Sequence, residues 1–379
     1  MNGRKILFLG YYTGFSGGIE RYAYQTALIL RRAGAEVHWC GSVPDRDEAL
    51  FRSGFDRVLS PDDLTASSPE YDLAVLHKLP SFENLKQWRE KFGEKLVFLA
   101  HDHDLYCPRR HYYTPFGRIN CHRAYSPLRC AVCARISAPH NWKHLKRGQG
   151  ALLRELRGHH AVVLSNFMRD NLLRNGFSPE KIHLIGPVIE PGPETAPVRE
   201  NGNELKILFL GQLIRGKGCD LLLDALSQLK INWRAKIAGD GSDRPMLENL
   251  VRKMNLGARI EFTSWLTDPA AALQECDVLA FPSRWQEPFG LSGAEAAACG
   301  KPVVAFDVGG VREWLQDKVT GFIVPEKDTA EMMRKFELLH RDPALRIRMG
   351  NEGRKLIEQR FNPQKFLERF GHLTGKELV

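Results

Sequence analysis

The chain has 379 residues, of which 43% are hydrophobic and 26% are charged, and its formal net charge is +9. This composition is that of a globular protein, and the length favours two domains over one. No apolar run reaches the roughly 18 residues that a membrane-spanning helix needs, which argues against an integral membrane protein. The apolar run at the start is too short for a secretory signal, so a cytoplasmic location is expected.

The first half of the chain alternates between predicted strands and helices. Apolar runs predict buried strands at 5–10, 36–41, 73–77, 96–101 and 161–165. A glycine-rich loop and a helix from about 19 to 32 follow the first of these strands. The alternation is typical of an open parallel α/β sheet with right-handed crossovers.

The same pattern begins again after a predicted linker at 191–204, which is rich in proline, glycine and charge. The hexapeptide KILFLG at 206–211 repeats residues 5–10. A helix at 219–229 and further strands at 235–238, 260–262, 278–281, 303–306 and 321–324 are predicted. The expected architecture is two doubly wound, Rossmann-like domains, 1–190 and 205–355, with ligands at the carboxyl ends of the strands in the cleft between them.

The last part of the chain predicts helix within 351–378, interrupted near Asn362 and Pro363. We expect the terminal helix, 356–379, to cross back to the first domain.

Most of the positive charge is concentrated in one segment. Residues 106–160 contain eleven lysines or arginines and a single acidic residue, Glu155. A patch of this kind attracts phosphates, nucleic acid or an anionic membrane surface. The alternative is a solvated basic helix and loop.

Four cysteines lie in a predicted insert at about 104–158, in the basic part of the chain. They are Cys107, Cys121, Cys130 and Cys133. The last two have the spacing of zinc ligands, and the other two thiols would complete a tetrahedral set. Two disulfides, free thiols or an iron–sulfur cluster are the alternatives.

Residues 281–300 are predicted to form a strand end, a loop and an alanine-rich helix. Glu287 precedes this helix, and Glu295 lies about one turn inside it. The first amides of the helix are unpaired within it, so with the helix dipole they can bind phosphate. These amides belong to Phe289, Gly290, Leu291 and Ser292. The alternative is that both glutamates are surface charges near a helix start. The rigid Pro-Phe-Gly turn between them argues against it.

The pattern E-P-F-G-L-x-x-x-E, formed by Glu287 and Glu295, resembles the marker of family 4 of the retaining glycosyltransferases, which have the GT-B fold. The segments 309–313 and 321–324 are also similar to the family pattern. The resemblance implies that Glu287 lies against the hydroxyls of the donor sugar and that Glu295 binds the ribose. It also implies sugar transfer with retained configuration and without a catalytic metal.

A cationic loop follows the strand at 206–211. Lys217 matches the family's lysine, but Gln212 stands where the family usually has an arginine. Arg215 is close enough in sequence to supply the guanidinium. A cationic loop after a strand can hold a diphosphate by charge-assisted hydrogen bonds.

Two features of the first half also resemble the family. Residues 16–20 (SGGIE) are similar to its Gly-Gly-x-Glu loop, in which Gly17 and Gly18 would let backbone amides approach the donor phosphates and the acceptor. His101 ends a predicted strand, where the family often has a histidine facing the reaction centre. A structural histidine is the alternative.

We therefore predict a transferase that moves a sugar from a nucleoside diphosphate sugar to a glycan or a lipid-linked glycan, in cell-surface polysaccharide or glycolipid synthesis. The basic segment would meet an anionic acceptor or membrane surface, placing the enzyme at the inner face of the membrane. Nucleic acid is not an expected partner. The alternatives are an inactive nucleotide-sugar-binding subunit and a zinc-bearing nucleic-acid binder.

Overall fold

The computed structural model describes residues 2–66, 70–78, 82–109, 113, 119–137, 149–190, 192, 204–266 and 268–374. The chain divides into two compact units, Met1–Val188 with Pro363–Val379, and Ile189–Asn362. In these described ranges no helix is both long and apolar enough to cross a membrane.

The first unit is built on a parallel sheet with the strand order β3-β2-β1-β4-β5-β6-β7. Its strands are β1 (Lys5–Leu9), β2 (Glu36–Cys40), β3 (Arg57–Leu59), β4 (Leu73–Leu76), β5 (Leu96–Ala100), β6 (His160–Val163) and β7 (Ile182–Leu184). Its helices are α1 (Gly18–Arg32), α2 (Glu48–Ser53), α3 (Asp63–Ala66), α4 (Phe82–Phe92), α5 (Pro127–Ser137), α6 (Gln149–Leu156) and α7 (Asn166–Arg174).

The apolar character of β1 explains its central place in this sheet. Residues 6–9 are completely buried, and Ile6 pairs with Val37 on one side and with Leu73 on the other. A strand covered on both faces needs such an uninterrupted apolar run. The core continues into the predicted insert, because Leu105, Tyr106 and Cys107 pack in the same buried cluster as the strands.

The second unit repeats this topology in a parallel sheet with the order β10-β9-β8-β11-β12-β13. Its strands are β8 (Leu205–Leu210), β9 (Trp233–Ala238), β10 (Ile260–Thr263), β11 (Val278–Phe281), β12 (Val303–Phe306) and β13 (Gly321–Val324). Its helices are α8 (Cys219–Ser227), α9 (Arg244–Lys253), α10 (Ala270–Glu275), α11 (Leu291–Ala298), α12 (Thr329–Arg341) and α13 (Pro343–Arg360).

The prediction of two doubly wound parallel sheets is confirmed, and the repeated KILFLG segments form the equivalent strands β1 and β8. The helix predicted from residue 351 begins earlier, at Pro343, because the Asp342 carboxylate accepts the amide of Leu345 at 2.8 Å and caps it. After an interruption at residues 361 and 362, α14 (Pro363–Gly371) belongs to the first unit.

Candidate active site

Each sheet has a switch point at which the crossovers diverge, between β1 and β4 in the first unit and between β8 and β11 in the second. Loops that leave neighbouring strands in opposite directions open a crevice at the carboxyl ends of those strands. The loops after β8 and β11 carry Lys217 and Glu287. The loop after β1 carries Gly17, and His77 follows β4 directly.

Lys217 and Glu287 meet at the switch point of the second unit. Nζ of Lys217 donates a hydrogen bond to Oε1 of Glu287 at 2.7 Å, and the carboxylate is buried. The hydroxyl of Ser283, also buried, donates to the same oxygen at 2.6 Å. The carboxylate is therefore held in one orientation by a cation and a hydroxyl.

Close backbone packing fixes the turn that carries Lys217. A Cβ atom on Gly216 would stand 1.7 Å from Cε2 of Trp285, and one on Gly218 would stand 1.8 Å from the carbonyl oxygen of Pro282. Gly218 also has a φ of 71°, which favours glycine. The turn after β8 thus lies directly on the loop after β11, which brings Lys217 to Glu287.

Arg215 lies in the same turn, but its side chain is largely exposed, with Nη1 3.4 Å from a carboxylate oxygen of Asp220. Both oxygens of that carboxylate already accept bonds of 2.5 and 2.6 Å from the buried guanidinium of Arg284. Arg284 also donates to the carbonyl of Arg215 at 2.8 Å. The guanidinium of Arg284 therefore fixes the turn, and that of Arg215 extends towards solvent.

The start of α11 presents backbone amides. Gly290 has a φ of 93° and precedes the helix, and in the described chain no acceptor is found for the amides of Leu291 and Ser292. The carbonyl of Phe289 accepts a 2.6 Å hydrogen bond from the indole of Trp314. That bond fixes the loop before the helix, so the unpaired amides keep a defined direction.

Glu295 lies further along α11 and is half-buried, one helical turn beyond Leu291. Its carboxylate is close enough to Cys299 to contribute, after burial, to the raised pKa of that thiol. The structure therefore places both glutamates of the motif in the second unit, one in the loop after β11 and one in α11.

The backbone of Glu287 is held by the segment after β12. Its carbonyl accepts the amide of Gly310 at 2.7 Å, and the side-chain oxygen of Gln286 accepts the amide of Gly309 at 2.9 Å. Gly309 has a φ of 55°, and a Cβ atom there would stand 2.1 Å from the carbonyl oxygen of Glu287. These contacts account for glycine at position 309.

In the first unit, His101 follows β5 and contacts a second histidine, His77, which follows the neighbouring strand β4. Nδ1 of His77 lies 3.0 Å from Nε2 of His101, and the two rings stack at 5.2 Å. Burial lowers the pKa of His77 well below its ordinary value, and the nearby His101 adds to this. Burial, followed by the Lys78 cation, lowers the pKa of His101 to about 3. Both rings are therefore neutral at pH 7.

Among the described residues, Nε2 of His77 has no hydrogen-bond partner, and this indicates which tautomer the histidine pair adopts. A buried N–H without an acceptor costs more than a bare lone pair, so His77 donates through Nδ1 and leaves Nε2 unprotonated. Nε2 of His101 then accepts that bond, and the proton of His101 is on Nδ1. His77 thereby sets His101 as a hydrogen-bond donor.

The cation of Lys78 lies beside the two histidines. Its Nζ donates to Asp102 at 2.7 Å and to Asp104 at 2.8 Å. Coulombic attraction to these carboxylates raises the pKa of Lys78 although burial opposes the rise. A cavity of about 20 Å³, the size of a single water molecule, is lined by His77, Lys78, His101 and Asp102 among others.

The glycine-rich loop caps α1. Gly17 is the residue before the helix, and Gly18 is its first residue. Burial raises the pKa of Glu20, and hydrogen bonds from the amides of Glu20 and Gly17 to its carboxylate oppose this rise. The bond from the Gly17 amide to Glu20 is one half of a capping box, because glycine has no side chain to bond the helix in return. The amide of Gly17 is thus engaged by Glu20, while Gly18 is exposed.

Cys121 and Cys130 lie near Cys133, since both add to the rise that burial causes in the pKa of the Cys133 thiol. Cys107 is buried in the core of the first unit, whereas Cys130 and Cys133 are half-buried on α5. All eight cysteines lie in the described ranges, and none of them forms a disulfide. Across those ranges no group of three or more His, Cys, Asp or Glu side chains is placed to hold a metal ion. The structural zinc stays a prediction.

Two residues that the motif patterns did not single out contact predicted site residues, namely Ser283 on Glu287 and His77 on His101. Ser283 is the second residue after β11, and His77 directly follows β4 as His101 directly follows β5. Because β4 and β5 pair in the sheet, two histidines that directly follow these strands could have been predicted to lie close together.

Comparison with known families covers most of the chain. Residues 16–192 match the family model described as Glycosyltransferase Family 4. Residues 194–356 match the model described as Glycosyl transferases group 1.

Curated relatives match over part of their length. An alpha-D-kanosaminyltransferase of Streptomyces kanamyceticus is 28% identical over 53% of this chain and 56% of its own. A D-inositol 3-phosphate glycosyltransferase of Pseudarthrobacter chlorophenolicus is 34% identical over 46% of each chain. The chain spans about half the length of the curated relatives it matches.

A solved structure is similar over almost the whole chain. The structure of Anabaena Alr3699/HepE in complex with UDP and glucose has a TM-score of 0.77 and 19% identity. The match covers 98% of this chain and 100% of that one. At this identity the likeness establishes the fold alone.

Proposed function

Because the chain belongs to family 4 of the glycosyltransferases and has the GT-B fold, we propose that it transfers a sugar from a nucleoside diphosphate sugar to an acceptor hydroxyl with retained anomeric configuration. The observation that carries the proposal is the pair of Lys217 and Glu287 at the switch point of the second unit, 2.7 Å apart. A cation and a carboxylate held together there are suited to a ligand that has both a diphosphate and sugar hydroxyls.

The second unit is proposed to bind the donor. Negative charge grows on the diphosphate as it leaves the sugar, and preorganised cations and amides stabilise such charge strongly. Lys217 supplies the cation, and the amides at 289–292 supply hydrogen-bond donors at the start of α11. Arg215 is exposed in the same turn and is proposed to reach the outer phosphate. It would supply the guanidinium that the family usually has at the position of Gln212.

The two glutamates take different parts of the donor in this proposal. Glu287 accepts hydrogen bonds from hydroxyls of the sugar, with Lys217 and Ser283 holding its carboxylate. Glu295 accepts from the ribose hydroxyls. The bond between C1 of the sugar and the diphosphate breaks, and the acceptor oxygen bonds to C1 on the same face. The O–H bond of the acceptor breaks, and its proton passes to an oxygen of the departing nucleoside diphosphate.

The first unit is proposed to serve the acceptor side. His101, kept neutral by burial and set as a donor by His77, hydrogen-bonds a sugar hydroxyl or the developing charge. Gly18, exposed at the start of α1, lets the backbone approach the substrates closely, and Gly17 holds the turn through Glu20. Neither role requires a metal.

The acceptor is proposed to be a glycan or a lipid-linked glycan of cell-surface polysaccharide or glycolipid synthesis. The basic segment at 106–160 favours an anionic acceptor or membrane surface. The enzyme would then work as a peripheral protein at the inner face of the membrane.

Thermal shift tests the donor site first. Purified protein is heated with UDP-, GDP- and ADP-sugars in the presence of a chelator. A rise in melting temperature with one nucleotide, lost in Glu295→Ala, supports donor binding in the second unit. No rise with any of the donors in wild-type protein would contradict the proposal.

Product analysis then tests the transfer itself. The anomeric proton coupling of the product, compared with that of the donor, gives the stereochemical course. An inverted product would contradict retention, and activity abolished by chelation and restored by a divalent ion would contradict metal-independent transfer. Nucleotide binding without transfer to any glycan acceptor would instead favour an inactive partner subunit.

A further inference from the structure

Helix α5 turns its larger apolar side chains towards solvent. Leu128, Val132 and Ile136 are 83%, 54% and 51% exposed. Because they recur every four residues, they form one stripe along the helix. A helix that only packs against its own domain directs such side chains inward. This one exposes them.

Small residues face the domain instead. Ala134 is buried, and Cys130 and Cys133 are half-buried. The segment before the helix is anchored, since the amide of Tyr125 donates to the side chain of the buried Asn175 at 2.8 Å. The outward stripe is therefore presented by a helix whose first turn is tied to the first unit.

Arginines border the stripe on both sides. At about 100° per residue, Arg135 lies beside Leu128 and Arg129 beside Ile136 around the helix axis. Both arginines are exposed. Residues 106–154 contain no acidic side chain, so the surroundings of the stripe in the sequence are uniformly positive.

The stripe lies in the part of the chain that is richest in exposed large apolar side chains. Ten large apolar side chains are exposed in the described ranges, and four of them lie within residues 119–136. The fourth is Ile119, which is 59% exposed. The others are distributed over both units, as single exposed apolar residues normally are.

We propose that this face of α5 docks on a lipid bilayer that contains anionic lipids. The three aliphatic side chains enter the boundary between headgroups and acyl chains, and Arg129 and Arg135 remain at the level of the phosphates. Exposed aliphatic side chains gain free energy when they leave water for the acyl boundary, and anionic lipid attracts each cation near its surface.

Charge and size favour a bilayer over a second copy of the chain. A symmetric pair would bring this positively charged face against the same face of the second copy, and like charges in an interface disfavour association. An eleven-residue helix with three apolar side chains is also smaller than the roughly 800 Å² per partner of a stable protein interface. A bilayer meets both conditions, because it supplies negative charge and an apolar layer.

This docking rests on the membrane association in the proposed function and specifies where it occurs. It is separable from the transfer chemistry, since Leu128, Val132 and Ile136 belong to the first unit and the proposed donor site belongs to the second. Failure of the docking would leave donor binding and transfer to a soluble acceptor intact.

Vesicle sedimentation tests the proposal. Full-length protein is mixed with phosphatidylcholine vesicles that contain or lack phosphatidylglycerol. We expect binding to the anionic vesicles that weakens as salt is raised. The variant Leu128→Gln/Val132→Gln/Ile136→Gln should bind roughly tenfold or more weakly, because it loses the apolar contribution. Arg129→Gln/Arg135→Gln should differ from wild type most at low salt, because the attraction between the arginines and the anionic lipid is least screened there.

A matched control replaces three exposed apolar side chains on other helices, Leu50→Gln/Met246→Gln/Leu338→Gln, which should bind as wild type does. Melting temperature and the donor-induced thermal shift verify that every variant is folded. Equal vesicle binding by the stripe variant would overturn the proposal. So would a wild-type dimer in sedimentation equilibrium that dissociates in the stripe variant.

The depth to which α5 enters the bilayer gives a second readout, which does not depend on loss of binding. A tryptophan placed by Val132→Trp should be quenched by brominated lipid in anionic vesicles more strongly than one placed by Met246→Trp. Equal quenching in the two variants would show that α5 does not enter the bilayer.

Discussion

Nζ of Lys217 lies 2.7 Å from Oε1 of Glu287, although the two residues are 70 positions apart in the sequence. They are brought together because β8 and β11 pair in the sheet and their following loops contact each other through Gly216 and Trp285. The pair stands at the switch point of the second unit, where doubly wound sheets bind ligands.

Removing the cation of this pair should reduce transfer strongly. Lys217→Met is expected to lower kcat/KM for sugar transfer by roughly 10²–10³-fold, the effect of losing one donor that stabilises a developing anion. Steady-state kinetics with the donor identified by thermal shift measures it. Lys236→Met is the matched control, because Lys236 forms a more exposed pair with Glu275 and should change the rate by less than about twofold.

A double variant separates chemistry from folding. Lys217→Met leaves a buried carboxylate without its cation, at a cost of about 3 kcal/mol in the free energy of unfolding. Adding Glu287→Gln should restore much of that stability in chemical denaturation, while transfer stays low. Near-wild-type transfer by Lys217→Met would contradict the proposed role of the cation.

Ser283 is expected to act as a positioning residue for Glu287. Its hydroxyl is buried and donates to the carboxylate at 2.6 Å, and hydrogen bonds to charged groups contribute about 1.5–3 kcal/mol. Ser283→Ala should therefore lower kcat by roughly tenfold or more and leave KM for the acceptor unchanged. The exposed Ser227, which bonds a backbone carbonyl, provides the control substitution Ser227→Ala. Restoration of activity by Ser283→Thr would support an effect through the hydroxyl, and an unchanged kcat in Ser283→Ala would contradict it.

Much of the fold could be predicted from the sequence because local and global signals agree in it. The two KILFLG segments are apolar throughout, as central parallel strands must be, and they form β1 and β8. The strand β3 (Arg57–Leu59) has three residues, begins with an exposed arginine and pairs only along one edge, so its apolar signal is weak. Short edge strands are stabilised by their neighbours more than by their own sequence.

The candidate site could be predicted only in part. The spacing of Glu287 and Glu295 is a local pattern, and the helix start between them follows from it. The contacts of Ser283 and His77 arise from strand pairing and ring packing, which a residue pattern does not contain. Periodicity also places Leu128, Val132 and Ile136 of α5 on one face without indicating whether that face is inward or outward.

The turn that carries Lys217 should not tolerate a side chain at Gly216. In Gly216→Ala the new Cβ would stand 1.7 Å from Cε2 of Trp285, so the indole and the turn must move apart. Overpacking of this kind costs about 1–3 kcal/mol, and the donor-induced thermal shift should fall with it. Gly257→Ala is the control, because a Cβ there meets nothing within 4 Å. Equal melting temperatures and donor shifts in the two variants would show that the contact with Trp285 does not position Lys217.

The pair of His77 and His101 should make the free energy of unfolding fall as the pH is lowered. Both folded pKa values are depressed, that of His101 to about 3, so between about pH 6.5 and pH 3 the unfolded chain binds more protons than the folded protein. Stability is therefore fully present above pH 6.5 and falls as the pH decreases through this window, by at most about 1.4 kcal/mol per pH unit for each histidine. His77→Phe keeps a ring among the aromatic neighbours of His77 and removes one titrating group, so its free energy of unfolding should fall less steeply. The measurement is urea unfolding at a series of pH values, with the exposed His122→Gln as the control that keeps the wild-type slope. An unchanged slope in His77→Phe would mean that folding does not lower the pKa of His77, which would contradict the effect of burial on this histidine pair.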